Sequence, residues 1–173
     1  MKGVTIWFTG LPCSGKTTIA DELADILEKK GLNVERLDGD IVRKDLTNDL
    51  GFSKKDRDEN IRRVTFVAKL LTRNNVIVLA TFVSPYSKRR EKTRKEIGEF
   101  LEVYVKCPVE ECIKRDVKGM YEKALRGEIT GFTGVDDPYE EPINPDLVLE
   151  THKESVEESV NKVLSLMEGT GYL

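Results

Sequence analysis

Between Val4 and Leu27 the apolar residues change period, and the change falls on a glycine-rich loop. Val4-Thr5-Ile6-Trp7-Phe8 is a β-branched and aromatic run that reads as a buried strand. Ile19, Ala20, Leu23, Ala24, Ile26 and Leu27 then follow the i, i+4, i+7, i+8 spacing of a helix core face. Between them, Gly10-Leu11-Pro12-Cys13-Ser14-Gly15-Lys16-Thr17 fits G-x-x-x-x-G-K-[ST] without a gap, and Thr18 continues it. Strand, Gly-rich loop and helix, in that order, is the context this motif requires. The glycines let the backbone turn so that its N–H groups converge on phosphate oxygens. The helix N-terminus adds partial positive charge at the same place. Lys16 is positioned to reach the β- and γ-phosphates, and the Thr17 hydroxyl to ligate Mg²⁺. The stretch therefore specifies a nucleoside triphosphate donor and leaves the acceptor open.

The rest of the chain repeats the alternation. Val34 to Leu37 reads as a strand ending at Asp38-Gly39-Asp40, and Ile41 to Leu46 as a short helix. Ser53 with Asp56 resembles a helix start, and Ile61, Val64, Ala68 and Leu71 line one helix face as far as Arg73. Val76 to Phe82 is continuously apolar, as in a strand buried on both faces of a parallel sheet. A highly charged helix over Lys88–Ile97, a strand over Leu101–Lys106 and a helix from Val109 follow. Lys118 to Asn144 has little core periodicity and reads as a mobile excursion. Leu147–Leu149 is a last strand, and Ser155–Met167 a closing helix with Val156, Val160, Val163, Leu164 and Met167 inward. Alternating strands and helices imply a parallel α/β sheet in a single domain over residues 1–173.

Composition narrows the class of function. No apolar run approaches the ~20 residues of a membrane helix, and positions 1–9 already read as strand, so no secretory signal is expected. The net charge of −3 argues against a protein that coats nucleic acid, and so does the lack of aromatics among Lys88-Arg89-Arg90-Glu91-Lys92-Thr93-Arg94-Lys95. That basic run reads as a solvated helix face. Cys13, Cys107 and Cys112 are odd in number and form no C-x-x-C pair, so a reduced cytoplasm is the expected location. No catalytic job falls to His152, the single histidine.

Ligands in parallel α/β sheets sit beyond the carboxyl ends of the strands. That rule collects Gly10–Thr17, Asp38, Asp40 and Ser84 around the triphosphate. Asp38 and Asp40 are the carboxylates available near the metal or the acceptor hydroxyl; as a bland alternative, they form a turn in which Asp40 caps the next helix. Arg43, Arg57, Arg62 and Arg63 could fork onto phosphate or sulfate oxygens, or pair with Asp58 and Glu59 along a wet helix face. Phe52 could stack on a base or merely pin its loop. The excursion, with Lys118, Lys123 and Arg126, suits a lid that excludes water.

Taken together, these residues resemble the adenylylsulfate kinases. The resemblance is carried by Trp7–Thr18, by Leu37-Asp38-Gly39-Asp40 with Arg43, and by Leu50–Ser53 running through Arg57 to Arg63. It continues with Ser84-Pro85-Tyr86, Arg115–Tyr121 and Gly131-Phe132-Thr133-Gly134-Val135-Asp136-Asp137-Pro138-Tyr139, in the family's order over nearly the whole chain. It implies a three-layer P-loop kinase fold, with a five-stranded parallel sheet, helices on both faces and a mobile lid at about 117–145. It implies transfer of the ATP γ-phosphoryl to the 3′-hydroxyl of adenosine 5′-phosphosulfate, with ATP and Mg²⁺ as cofactors, in a cytoplasmic homodimer that binds neither nucleic acid nor membrane. The product, 3′-phosphoadenosine 5′-phosphosulfate, is the activated sulfate donor of sulfate assimilation.

By the same resemblance, Lys16, Asp40 and Ser84 are catalytic, with Asp40 accepting or orienting the 3′-hydroxyl proton. Gly10, Leu11, Pro12, Cys13, Ser14, Gly15, Lys16, Thr17, Thr18 and Arg115 hold ATP. Thr17 and, through water, Asp38 hold Mg²⁺. Asp38, Asp40, Arg43, Phe52, Arg57, Asn60, Val83, Ser84, Lys118, Gly131 and Phe132 face the acceptor, with Phe52 and Phe132 sandwiching its adenine. Ser84 has been described in the family as a phosphoserine intermediate, although in-line transfer needs only positioning and charge neutralisation. Cys13 and Met120 depart from the family's usual small residue and Leu. A kinase for another small hydroxyl acceptor, or a nucleotide-dependent switch protein, is the competing reading.

Overall fold

Side-chain alternation along the first strand, β1 (Val4–Thr9), sets the layers of the molecule. Val4, Ile6 and Phe8 point into one apolar cluster and Trp7 into another on the opposite face. The structure is a computed structural model that describes residues 2–173. After β1 come α1 (Lys16–Lys29), β2 (Val34–Asp38), α2 (Gly39–Val42), α3 (Lys54–Arg73) and β3 (Ile77–Thr81). The chain continues through α4 (Ser87–Ile97), β4 (Phe100–Lys106), α5 (Val109–Arg115), α6 (Met120–Leu125), β5 (Leu147–Glu150) and α7 (Val156–Gly169). The strands form one sheet in the order β2-β3-β1-β4-β5, and all pairings are parallel. Helices α1 and α7 cover the Ile6 face through Ile19, Leu23, Leu27, Val160, Val163 and Met167. Helix α3 covers the Trp7 face through Ile61 and Val64.

Register brings the chemistry to one edge. Asp38 and Phe8 both pair with Thr81, and Thr9 pairs with Tyr104. The carboxyl ends of β1, β2 and β3 are therefore level, and the loops after them open on the same side. Trp7 anchors that level: it is fully buried, stacks on Phe82 at 5.3 Å, and donates its indole N–H to Ser84 Oγ at 2.9 Å. Removing so large a buried ring would cost about 3–5 kcal/mol.

Several local expectations need correction. The helix expected over Ile41–Leu46 is instead α2, which begins at Gly39 because Asp38 caps it by accepting from Asp40 N–H at 2.9 Å. Asp38, not Asp40, thus makes the cap. Helix α3 starts at Lys54 behind Ser53, whose hydroxyl accepts from Asp56 N–H. Its inner face uses Thr65 and Thr72 where Leu71 was expected; Thr72 pairs with Thr5 at 2.7 Å and Thr65 with Thr93 at 2.9 Å. Val156 is 41% exposed, since it opens the first turn of α7 before the inward face begins at Ser159.

The largest correction concerns α4. Its basic run is not uniformly solvated: Arg89, Arg90 and Thr93 are buried against α3 and β4, with Glu102 answering the Arg90 charge. Nor is the excursion structureless. It contains α6, whose Tyr121 is fully buried with Cys107 and Cys112, and this cluster takes in Leu11 and Cys13 of the phosphate loop.

Candidate active site

The phosphate loop is held in conformations its residues explain. Gly15 has φ 106 and caps α1 from the left-handed region that glycine tolerates. A Cβ on Gly10 would run into the Val105 carbonyl, so only glycine fits against β4. Cys13 is also left-handed, at φ 62. Lys16 folds back over the loop and donates to the carbonyls of Gly10 at 2.9 Å and Leu11 at 2.7 Å. Burial lowers its pKa to about 8.

From below, the loop is tied to segments far away in sequence. Arg115 donates to the carbonyls of Cys13 and Ser14, and to the Thr151 carbonyl at 2.7 Å. Thr151, just beyond β5, donates its hydroxyl to Ser14 at 2.6 Å. From above, Tyr121 donates to the Pro12 carbonyl at 2.9 Å, and Phe132 meets Tyr121 edge-on at 5.0 Å. Arg115 thus grips the loop itself, and Thr151 and Tyr121 join the site from outside the motif.

At the end of β2, Asp38 accepts from the hydroxyls of Thr17 at 2.9 Å and Thr81 at 2.7 Å, besides capping α2. Burial pushes its pKa up, but these three hydrogen bonds and nearby Arg36 outweigh it and hold the carboxyl below its ordinary range. An ionised carboxylate beside the Thr17 hydroxyl is a hard-oxygen donor set of the kind that suits Mg²⁺. Asp40, two residues on, is exposed and ion-paired with Lys118 of the excursion.

The acceptor candidates divide. Ser84 sits buried at φ 45, its hydroxyl accepting from Trp7 and facing the Phe82 carbonyl at 3.4 Å. The Val83 carbonyl accepts from Thr9 at 2.7 Å. Arg57 reaches into the excursion, donating to the Gly131 carbonyl, to Thr133 at 3.0 Å and to Asp137 at 2.7 Å. Asn60 is buried nearby on α3, and its Oδ1 has no hydrogen-bond partner. Arg43 lies over the Phe52 ring at 4.3 Å, and that ring is 66% exposed. Phe52 and Phe132 therefore have different partners here, one a guanidinium and the other Tyr121. Arg62 and Arg63 resolve toward the bland alternative: both pair with Glu59, and Arg63 also pairs with Asp49.

Residues that sequence reasoning missed are hydroxyls and one arginine. Thr81 ends an apolar strand, where position alone could have flagged it. Thr9, Tyr139 and Arg90 lie in quoted stretches but were not assigned to the site, because the bonds that place them there reach far along the chain.

Comparison with known proteins shows what the chain is similar to. A family model described as adenylylsulphate kinase matches residues 2–150. The chain is 62% identical over 172 residues to an adenylyl-sulfate kinase of Halothermothrix orenii, covering 99% of this chain and 93% of the relative. It is 56% identical over 172 residues to one of Picosynechococcus, covering 99% and 97%. Among solved structures, the Mycobacterium tuberculosis APS kinase CysC in complex with AMPPNP and APS superposes with a TM-score of 0.92 at 44% identity, covering 96% of this chain and 98% of that one.

Proposed function

The chain belongs to the adenylylsulfate kinase family, and from that premise we propose how its own residues carry the reaction. The enzyme is an ATP-dependent kinase that transfers the γ-phosphoryl of ATP to the 3′-hydroxyl of adenosine 5′-phosphosulfate, giving ADP and 3′-phosphoadenylyl sulfate. The observation that carries the residue assignment is the level strand edge. In the order β2-β3-β1 it brings the Asp38–Asp40 turn and the Val83–Ser84 loop to the same side of the phosphate loop, whose Thr17 hydroxyl donates to Asp38.

On the donor side, Gly10 to Thr18 wrap the triphosphate with backbone N–H groups. Lys16 leaves its loop carbonyls for the β- and γ-oxygens, exchanging neutral acceptors for charged ones. Arg115 keeps the loop in shape and borders the ATP adenine. Thr17 directly, and Asp38 through water, would hold Mg²⁺, which when bound neutralises charge on the β- and γ-phosphates.

On the acceptor side, Asp40 takes or orients the 3′-hydroxyl proton, trading its ion pair with Lys118 for the substrate. Arg43, Arg57 and Asn60 hold the phosphosulfate end. Of Asn60 it is the Nδ2 amide that would donate to those oxygens, since phosphosulfate only accepts and cannot satisfy the buried Oδ1. Phe52, Phe132, Lys118 and Gly131 surround the acceptor adenine, and Val83 and Ser84 its ribose. The Ser84 hydroxyl is engaged with Trp7 and Phe82, which supports a positioning role and direct in-line transfer.

The decisive experiment is a coupled ADP-release assay with ATP, Mg²⁺ and adenosine 5′-phosphosulfate. Release that depends on the acceptor is expected; release with another small hydroxyl acceptor instead would overturn the assignment. We extend the reading to a cytoplasmic homodimer, the state the family resemblance implies, which light scattering tests by mass. Among the described residues no helix is long and apolar enough to cross a membrane.

A further inference from the structure

Arg90 lies in a basic run that a solvated helix face would explain, yet it is only 3% exposed. Its guanidinium serves separate parts of the chain. It donates to the Ser84 carbonyl, to the Glu140 carbonyl at 2.6 Å and to Glu102 Oε1 at 3.1 Å. Glu140 is bound back to the same place. Its N–H donates to the Pro85 carbonyl at 2.9 Å, and its carboxylate accepts from Ser87 N–H at 2.7 Å and Ser87 Oγ at 2.8 Å. Helix α4 has no side-chain cap from Tyr86 at its own N-cap position, so a residue from the end of the excursion supplies that function. Next door, Tyr139 shares a hydrogen bond with Thr9 at 2.8 Å, and Thr9 also donates to Val83. Residues 83–87 are thus enclosed by bonds from β1, α4 and the excursion's exit.

We propose that Arg90 is a positioning residue for the acceptor: it locks the Val83–Ser84 loop to the exit of the excursion, so that the surface facing the ribose is set before the acceptor arrives. Ser84 needs such support, because a left-handed backbone at a non-glycine residue persists only where its surroundings over-determine it. Stability alone is a poor reason to bury an ion pair, since apolar side chains of similar volume often serve as well or better. A planar fork that reaches two carbonyls and a carboxylate is what arginine offers and lysine does not. The proposal rests on the reading that Val83 and Ser84 border the acceptor ribose.

The test uses the whole enzyme and compares Arg90→Lys, Glu140→Ala and Val83→Ala. Arg90→Lys keeps a charge beside Glu102 but loses the fork. Its KM for adenosine 5′-phosphosulfate should rise about tenfold, while affinity for a non-hydrolysable ATP analogue stays within about twofold and kcat changes less than KM. Glu140→Ala removes the borrowed cap without touching the buried charge pair, and should raise the same KM by about threefold. Val83→Ala probes the loop surface directly and should raise it too. An unchanged KM in Arg90→Lys, with Val83→Ala raised, overturns the positioning role. The role is equally overturned if Arg90→Lys merely melts earlier with both KM values intact. Should Arg90→Lys fail to fold, an unchanged KM in Glu140→Ala overturns the role. No effect from any variant, Val83→Ala included, removes the acceptor-loop reading itself.

Discussion

The donor and acceptor halves of the site are built in opposite ways. The donor half is one contiguous stretch, Gly10–Thr18, whose working groups are largely backbone, and the chain around it braces it from several sides. The acceptor half is gathered from β2, α3, the loop after β3 and the excursion. Its charged groups are occupied with one another: Arg57 with Gly131, Thr133 and Asp137, and Lys118 with Asp40. A backbone cradle keeps its shape when empty, because its dipoles are fixed by the fold. Side-chain charges left in a cleft find each other, and substrate must displace those pairings. The donor side should therefore respond to substitution mainly in turnover, and the acceptor side mainly in acceptor affinity.

The most severe break of that contrast is Lys16→Met, which should lower kcat about 10³-fold by removing the charge nearest the transferred group, read by coupled ADP release. Asp40 is the acceptor-side exception, because it meets the reacting hydroxyl: Asp40→Asn should lower kcat about 10²-fold while leaving ATP binding intact by calorimetry; near-full turnover would remove Asp40 from the chemistry. Arg57→Ala should raise the acceptor KM by about thirtyfold, with little change for ATP.

The pH dependence sharpens the donor side. Burial holds Lys16 near a pKa of about 8, and the triphosphate binds its ammonium form, so binding takes up a proton above that pH. Apparent ATP affinity should hold below pH 8 and then fall by up to about tenfold per pH unit, whereas Lys16→Met should lose that dependence. A flat profile in the unaltered enzyme would show that Lys16 stays charged without ligand. The smallest effect is expected of Ser84→Ala, whose kcat should stay within about threefold; complete loss would restore the case for a phosphoserine.

The same contrast explains what could be read before folding. The phosphate loop, its strand and its helix were legible because motif and flanking periodicity are local. Asp38 and Asp40 were legible by their place after a short strand, though which of them caps α2 was not, since that depends on backbone angles at Asp38. The basic run of α4 misled because charge counts say nothing of facing partners. Arg90 is buried only because Glu102 and the carbonyls of Ser84 and distant Glu140 are there to meet it. The excursion read as irregular because its core residue, Tyr121, is buried mainly by partners outside it, Cys107, Cys112 and the phosphate loop, which its own sequence does not show.

By itself, the sequence determined the donor class, the parallel α/β architecture and the strand ends from which chemistry must come, because each rests on residues a few positions apart. Tertiary structure alone decided which charges meet: Arg57 with the excursion, Lys118 with Asp40, Arg90 between Ser84 and Glu140. The physical reason is range. Backbone periodicity and glycine geometry act along the chain, whereas a buried guanidinium is stable only where several remote oxygens converge on it.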